Sequence, residues 1–288
     1  MTPARSAAIL ALYFLSIFCA AALLAPPVYL AFHGALPYPF HRYVDRVLMI
    51  AAVLGLLVSW RWLGIGSRRE IGLAGWRNGK WDLAVGFMLG IGSAALFLCA
   101  AFVAGGRTLQ GSLSPGWLAG VVAGAAALSV VEEILFRGVL QTILVRALGV
   151  PGGIVLGALL FAVFHYIKVP PGYAPEPVTA ASGWTAVGLA FAPFAGLSWL
   201  EPRFGLLAAV GLVLGLAAWR SRGLWLPIGL HAAWVVLGLK IGGKVTAGVA
   251  PGAVGHWAAA DFSSNPLSFP LLALVAAAVW MWPRSSST

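Results

Sequence analysis

Eight stretches of the chain, at about 7–32, 47–63, 83–105, 117–146, 153–167, 204–219, 223–240 and 267–283, are apolar over the length that crosses a bilayer. That repetition constrains the fold more than any motif does. Inside lipid every backbone polar group has to be satisfied within the chain, and the runs read as helices, not short alternating strands. The predicted fold is therefore all-α: a polytopic transmembrane bundle of about eight spanning helices.

Composition agrees. The 288 residues are 61% hydrophobic and 9% charged, with a mean hydropathy of +0.94. A soluble domain carries roughly 25% charged residues, so a soluble enzyme and a disordered chain are excluded. The formal net charge of +10 is that of basic cytoplasmic loops and not of a nucleic-acid groove, because no basic cluster is interleaved with stacking aromatics. Cys19 and Cys99 both fall in apolar runs, where a cysteine is a small apolar filler.

Charge also sets the topology. The 61–80 connection holds Arg61, Arg68, Arg69, Arg77 and Lys80 against Glu70, and Arg220 and Arg222 lie between two later runs. Arg5 precedes the first run and Arg284 follows the last. All four sites fall in the cytoplasm if the softer stretch 184–199, with Pro193 at its centre, does not cross. The expectation is thus both termini inside, a retained N-terminal anchor and 184–199 as a re-entrant or interfacial piece. The Pro- and Gly-rich loop 168–183 before it could act as a lid. Thirteen tryptophans, among them Trp60, Trp62, Trp76, Trp81, Trp184, Trp225, Trp280 and Trp282, lie near span ends as interfacial anchors. No internal repeat and no linker divides the sequence. The expected organisation is N-terminal spans over 1–110, a core over 111–245, and a loop with a last span over 246–288.

Ionisable residues inside spans are expensive and mark function. Asp45, Glu70, Asp82, Glu176, Glu201 and Asp261 lie in loops or at helix ends, as His33, His41 and His256 lie in loops. That leaves Glu132, Glu133 and Arg137 in the fourth run, His165 in the fifth and His231 in the seventh. Glu133 and Arg137, four apart, share a helix face and can pair. Glu132 is rotated about 100° from Glu133 and has no partner on its own helix, so it looks to the two histidines. A carboxylate beside imidazole in a dry site suits general-base work. Two histidines with a carboxylate are equally a catalytic zinc set, and spacing alone does not separate these chemistries. Ser93, Ser129 and Ser198 read as small residues at helix interfaces, and no Gly-x-Ser-x-Gly element supports a serine hydrolase.

Glu132-Glu133-x-x-x-Arg137, followed by Phe161-x-x-x-His165 and then His231, resembles the CPBP intramembrane proteases. These are also called the type II CAAX prenyl endopeptidase or abortive-infection family. The likeness covers about residues 115–240, including EEILFRGVLQ at 132–141 and GLVLGLAAWRSRGLWLPIGLHA at 211–232. It implies an intramembrane endopeptidase acting on membrane-embedded or lipid-anchored proteins, and the expected location is a bacterial inner membrane. Glu132 would activate water with His165, His231 would stabilise the oxyanion, and Glu133 and Arg137 would hold the site in register. It favours a metal-free glutamate mechanism over zinc held by Glu132, His165 and His231. The expected partners are lipid and a membrane-associated protein or peptide, with no nucleic acid.

One position departs from the family pattern. Asn usually stands four residues after the last histidine, where this chain has Val235, and its only asparagines are Asn78 and Asn265. A second oxyanion donor is then missing, or comes from Trp234 Nε1, Arg137 or backbone. The alternative function is a non-catalytic relative that binds a peptide or gives bacteriocin self-immunity. A proton-coupled transporter would need inverted repeats, and none is visible.

Overall fold

The computed structural model describes residues 3–59, 61–73, 75–103, 107–109, 112–197, 199–248 and 262–283. Trp60, Ser198, His256, Asp261 and Arg284 lie outside the described residues. The chain falls into two compact units, Met1–Gly66 with Val163–Trp199, and Ser67–Ala162 with Leu200–Thr288. No linker makes this division, since residues 163–199 return to the N-terminal helices.

In the first unit, α1 (Pro3–Phe32) and α2 (Phe40–Ser59) pack as neighbours. Tyr13 at their crossing donates its hydroxyl to Ala52 O at 2.6 Å. The short α6 (Ala180–Ala190) begins with a capping box, in which Thr179 N donates to Ser182 Oγ at 3.0 Å. It lies so close to α1 that a Cβ on Gly183 would sit 1.9 Å from Ala22 O. Eleven residues span about 16 Å, half a bilayer, and a short 3₁₀ turn over Ala192–Ala195 follows. The stretch 184–199 therefore contains no crossing helix among the described residues.

The second unit contains α3 (Trp76–Val103), α4 (Pro115–Glu133), α5 (Thr142–Phe164) up to Ala162, α7 (Pro202–Ser221), α8 (Trp225–Ala233), α9 (Gly242–Val245) and α10 (Ser268–Met281). A short antiparallel pairing joins Arg107–Leu109 to Thr246–Gly248. Ser114 caps α4, accepting from Trp117 N at 3.4 Å, and Pro115 occupies the first turn, where a missing N–H is harmless. Helices α3 and α8 pack closely. Cβ atoms on Gly86 and Gly229 would each lie 2.1 Å from a carbonyl of the other helix, Leu226 O and Leu83 O. Small residues let helices approach in this way within lipid. Trp225 packs here as well, its ring 2.1 Å from where a Gly79 Cβ would be. The basic connection is folded too: Ile71 is buried against Gly138, and Leu224 N donates to Gly72 O at 2.9 Å.

Five helices among the described residues are long and apolar enough to cross a membrane: Ala8–Phe32, Gly79–Val103, Pro115–Phe164, Pro202–Ser221 and Trp225–Lys244. The third, at 50 residues, is broken at Gly149, whose φ of +73° is left-handed and which precedes Pro151. At 1.5 Å per residue an unbroken helix of that length would exceed the hydrocarbon core more than twofold. Two of the eight predicted runs thus fall in one continuous stretch. The other two are α2, which carries Arg42, Asp45 and Arg46 near its start, and α10, which has 14 residues. Leu12, Leu23, Leu57, Met88, Leu96 and Leu274 are exposed. Aliphatic residues outside and helices throughout make this an integral, multi-pass membrane protein.

Candidate active site

Each of two π-helical segments follows a chemistry-bearing helix end. Ile134–Gln141 follows α4, which ends in Glu132 and Glu133. Trp234–Ile241 follows α8, which carries His231. A π segment inserts a residue into the helical ladder at a cost in hydrogen-bond geometry, and it recurs at functional sites.

Glu133 is the hub, with no exposed surface. Its Oε1 accepts from Arg137 Nη1 at 2.8 Å, the pair expected from their spacing. The same oxygen lies 2.8 Å from His231 Nδ1. With Glu133 as a carboxylate, Nδ1 is the donor, so the proton on that nitrogen is fixed by the bond. His231 Nε2 then faces Glu132, 3.8 Å from its Oε2. Of the two histidines to which Glu132 was expected to look, His231 stands between both carboxylates.

Arg137 is buried and turned toward α7. Its Nη2 donates to Gly211 O at 3.4 Å, and four residues on Gln141 Nε2 donates to Gly215 O at 3.1 Å. Two polar side chains one turn apart thus dock on two glycine carbonyls one turn apart. The Arg137 guanidinium also lies 4.3 Å from the Phe161 ring centroid, a cation–π contact, and Phe161 meets His231 edge-on at 6.1 Å. Phe161 therefore lines the site.

The structure brings Glu132, Glu133, Arg137, Phe161 and His231 together in one unit. His165 belongs to the other unit and stands in the turn just after α5, one residue past the helix end at Phe164. Trp234 Nε1 donates to Ser93 Oγ at 2.9 Å, and Ser93 in turn donates to Gly90 O at 3.1 Å. That N–H is engaged in the α3–α8 interface. Val235 is buried with Ala125 and Val236. Gln141 was not singled out by sequence, its spacing of four from Arg137 being the available signal; Ser93, read as a small residue at a helix interface, lies in one. Among the described residues no group of three or more His, Cys, Asp and Glu could hold a metal ion.

The family model described as type II CAAX prenyl endopeptidase Rce1-like matches residues 112–237. No curated protein and no solved structure matches the chain. The matched segment runs from the start of α4 into the second π-helical segment and contains every residue of the cluster just described.

Proposed function

We propose, from the match of residues 112–237 to the family model described as type II CAAX prenyl endopeptidase Rce1-like, that the chain is an intramembrane endopeptidase using Glu132 as general base. The observation that carries this reading is His231 standing between Glu133, at 2.8 Å, and Glu132, at 3.8 Å. The match over residues 112–237 supports the activity class; the residue roles are our assignment.

Glu132 takes a proton from water as the oxygen of that water attacks the scissile carbonyl carbon. The negative charge moves onto the carbonyl oxygen, where a fixed donor acts most strongly. His231 supplies that donor through Nε2, because Nδ1 is engaged by Glu133; donation from Nε2 uses the doubly protonated ring. The C–N bond then breaks, and Glu132 returns its proton to the leaving amine. Glu133 and Arg137 hold the ring and take no proton. The substrates are proteins already held in lipid by an embedded or lipid-anchored segment. A bacterial inner membrane, eight crossings and two cytoplasmic termini complete the proposal.

A second reading, a relative that binds a peptide without cutting it, is favoured by Val235, which offers no hydrogen bond and packs against Ala125 and Val236. Comparing protein termini in membranes from cells making wild type or Glu132→Gln at matched levels separates the two. New termini seen only with wild type support the protease. Identical termini with the phenotype retained would contradict it and favour binding.

A further inference from the structure

Three buried oxygens on α4 have no hydrogen-bond partner: Ser129 Oγ, Glu132 Oε2 and Glu133 Oε2. Ser129 and Glu133 have no exposed surface at all. Ser129 precedes Glu132 by three residues and Glu133 by four, the two spacings that make neighbours on a helix, so it lies one turn from both carboxylates. Most nearby donors are engaged elsewhere: Arg137 on Glu133 Oε1 and Gly211 O, Gln141 on Gly215 O, Trp234 on Ser93, and His231 Nδ1 on Glu133 Oε1; His231 Nε2 faces Glu132 Oε2 from 3.8 Å, beyond hydrogen-bond distance.

A buried oxygen left without a partner is costly, and two such oxygens on neighbouring carboxylates more so. Two of the three are acceptors, and the third is a hydroxyl that can donate. The small molecule that matches is water, which offers two protons and two lone pairs and makes about three hydrogen bonds when buried.

We propose that Ser129 is a water-positioning residue. With Oε2 of Glu132 and of Glu133 it holds the water that Glu132 deprotonates, a role that rests on the endopeptidase reading above. The water donates its two protons to the two carboxylate oxygens and accepts from the Ser129 hydroxyl. One lone pair is left, and it is the one that attacks. On attack the proton shared with Glu132 passes to that carboxylate and the new C–O bond forms, while the proton toward Glu133 stays on the oxygen. Glu133, held by Arg137 and His231 through its other oxygen, thus orients the nucleophile as well as the histidine.

A structure of the full chain in lipid nanodiscs at a resolution that shows waters is the direct test. Density within hydrogen-bond distance of Ser129 Oγ and Glu133 Oε2 is expected. A dry site, with the Ser129 hydroxyl bonded to the α4 backbone, would overturn the proposal. Kinetics on the substrate identified by its new termini give an independent readout. Ser129→Ala should lower kcat about 10²-fold at unchanged KM, as for a displaced reactant, and Ser129→Thr should restore most of it. Ser129→Ala cutting at the wild-type rate while Glu132→Gln does not cut would overturn the role of Ser129 alone. Wild-type rates in Glu132→Gln would sink the endopeptidase reading, and the proposal with it.

Discussion

The two π-helical segments do the same geometric job by opposite means. Ile134–Gln141 is pinned through polar side chains: Arg137 and Gln141 reach the Gly211 and Gly215 carbonyls of α7, and Thr142 Oγ1 donates to the Arg137 carbonyl at 3.5 Å. Trp234–Ile241 is held by apolar packing of Val235 and Val236 on Ala125, with the Trp234–Ser93 bond as its tie to α3. The segment after the glutamates thus manages charge, and the segment after the histidine manages shape. His231 is the point where the two meet. The lesson is that the polar cluster is braced from one side only, so its energetics should depend far more on the first segment than on the second.

The largest expected effect comes from removing the hub. Glu133→Ala leaves Arg137 buried without its counter-ion and His231 Nδ1 without an acceptor, and should destabilise the protein by about 3–5 kcal/mol, read as a lower midpoint of thermal unfolding in detergent. A loss below about 1 kcal/mol would break the comparison. Val235→Asn puts an amide into the apolar cluster around Ala125 and should lose about 1–3 kcal/mol in the same assay. A gain in stability would show that the second segment has a polar partner after all. Gln141→Met removes one rung of the ladder to α7 and should lose about 0.5–1.5 kcal/mol. The smallest change is expected for Trp234→Phe, which frees Ser93 Oγ while that hydroxyl still donates to Gly90 O. It should lose under about 1 kcal/mol and leave cleavage at the wild-type rate; a large drop in cleavage would make the indole N–H an oxyanion donor.

Sequence carried the charged residues and missed the joints between them. The Glu133–Arg137 pair followed from a spacing of four on an apolar helix, and the search of Glu132 for a histidine followed from its lack of a partner. What spacing could not show is that one His231 nitrogen is held by Glu133, because that distance depends on how α4 and α8 cross. The π segments were equally hidden, since one extra residue in a helical turn leaves the hydrophobic pattern almost unchanged. The apolar runs located the helices, and the Gly149-x-Pro151 break is a local signal that can be read from residues. His165 was expected within a span and stands in the turn after one, because the apolar run outlasts the helix. The interface role of Ser129 was read from its size, whereas its burial without a partner is a property of the fold.

The central claim is that Glu132, facing His231 Nε2, is the base of a hydrolytic reaction in the membrane. The most direct measurement is the cleavage rate of purified wild-type and Glu132→Gln protein in liposomes, on the substrate revealed by its new termini, with thermal unfolding as the check on folding. The account predicts a loss of about 10²–10⁴-fold with the unfolding midpoint retained. Cleavage at the wild-type rate by a folded Glu132→Gln protein would contradict it.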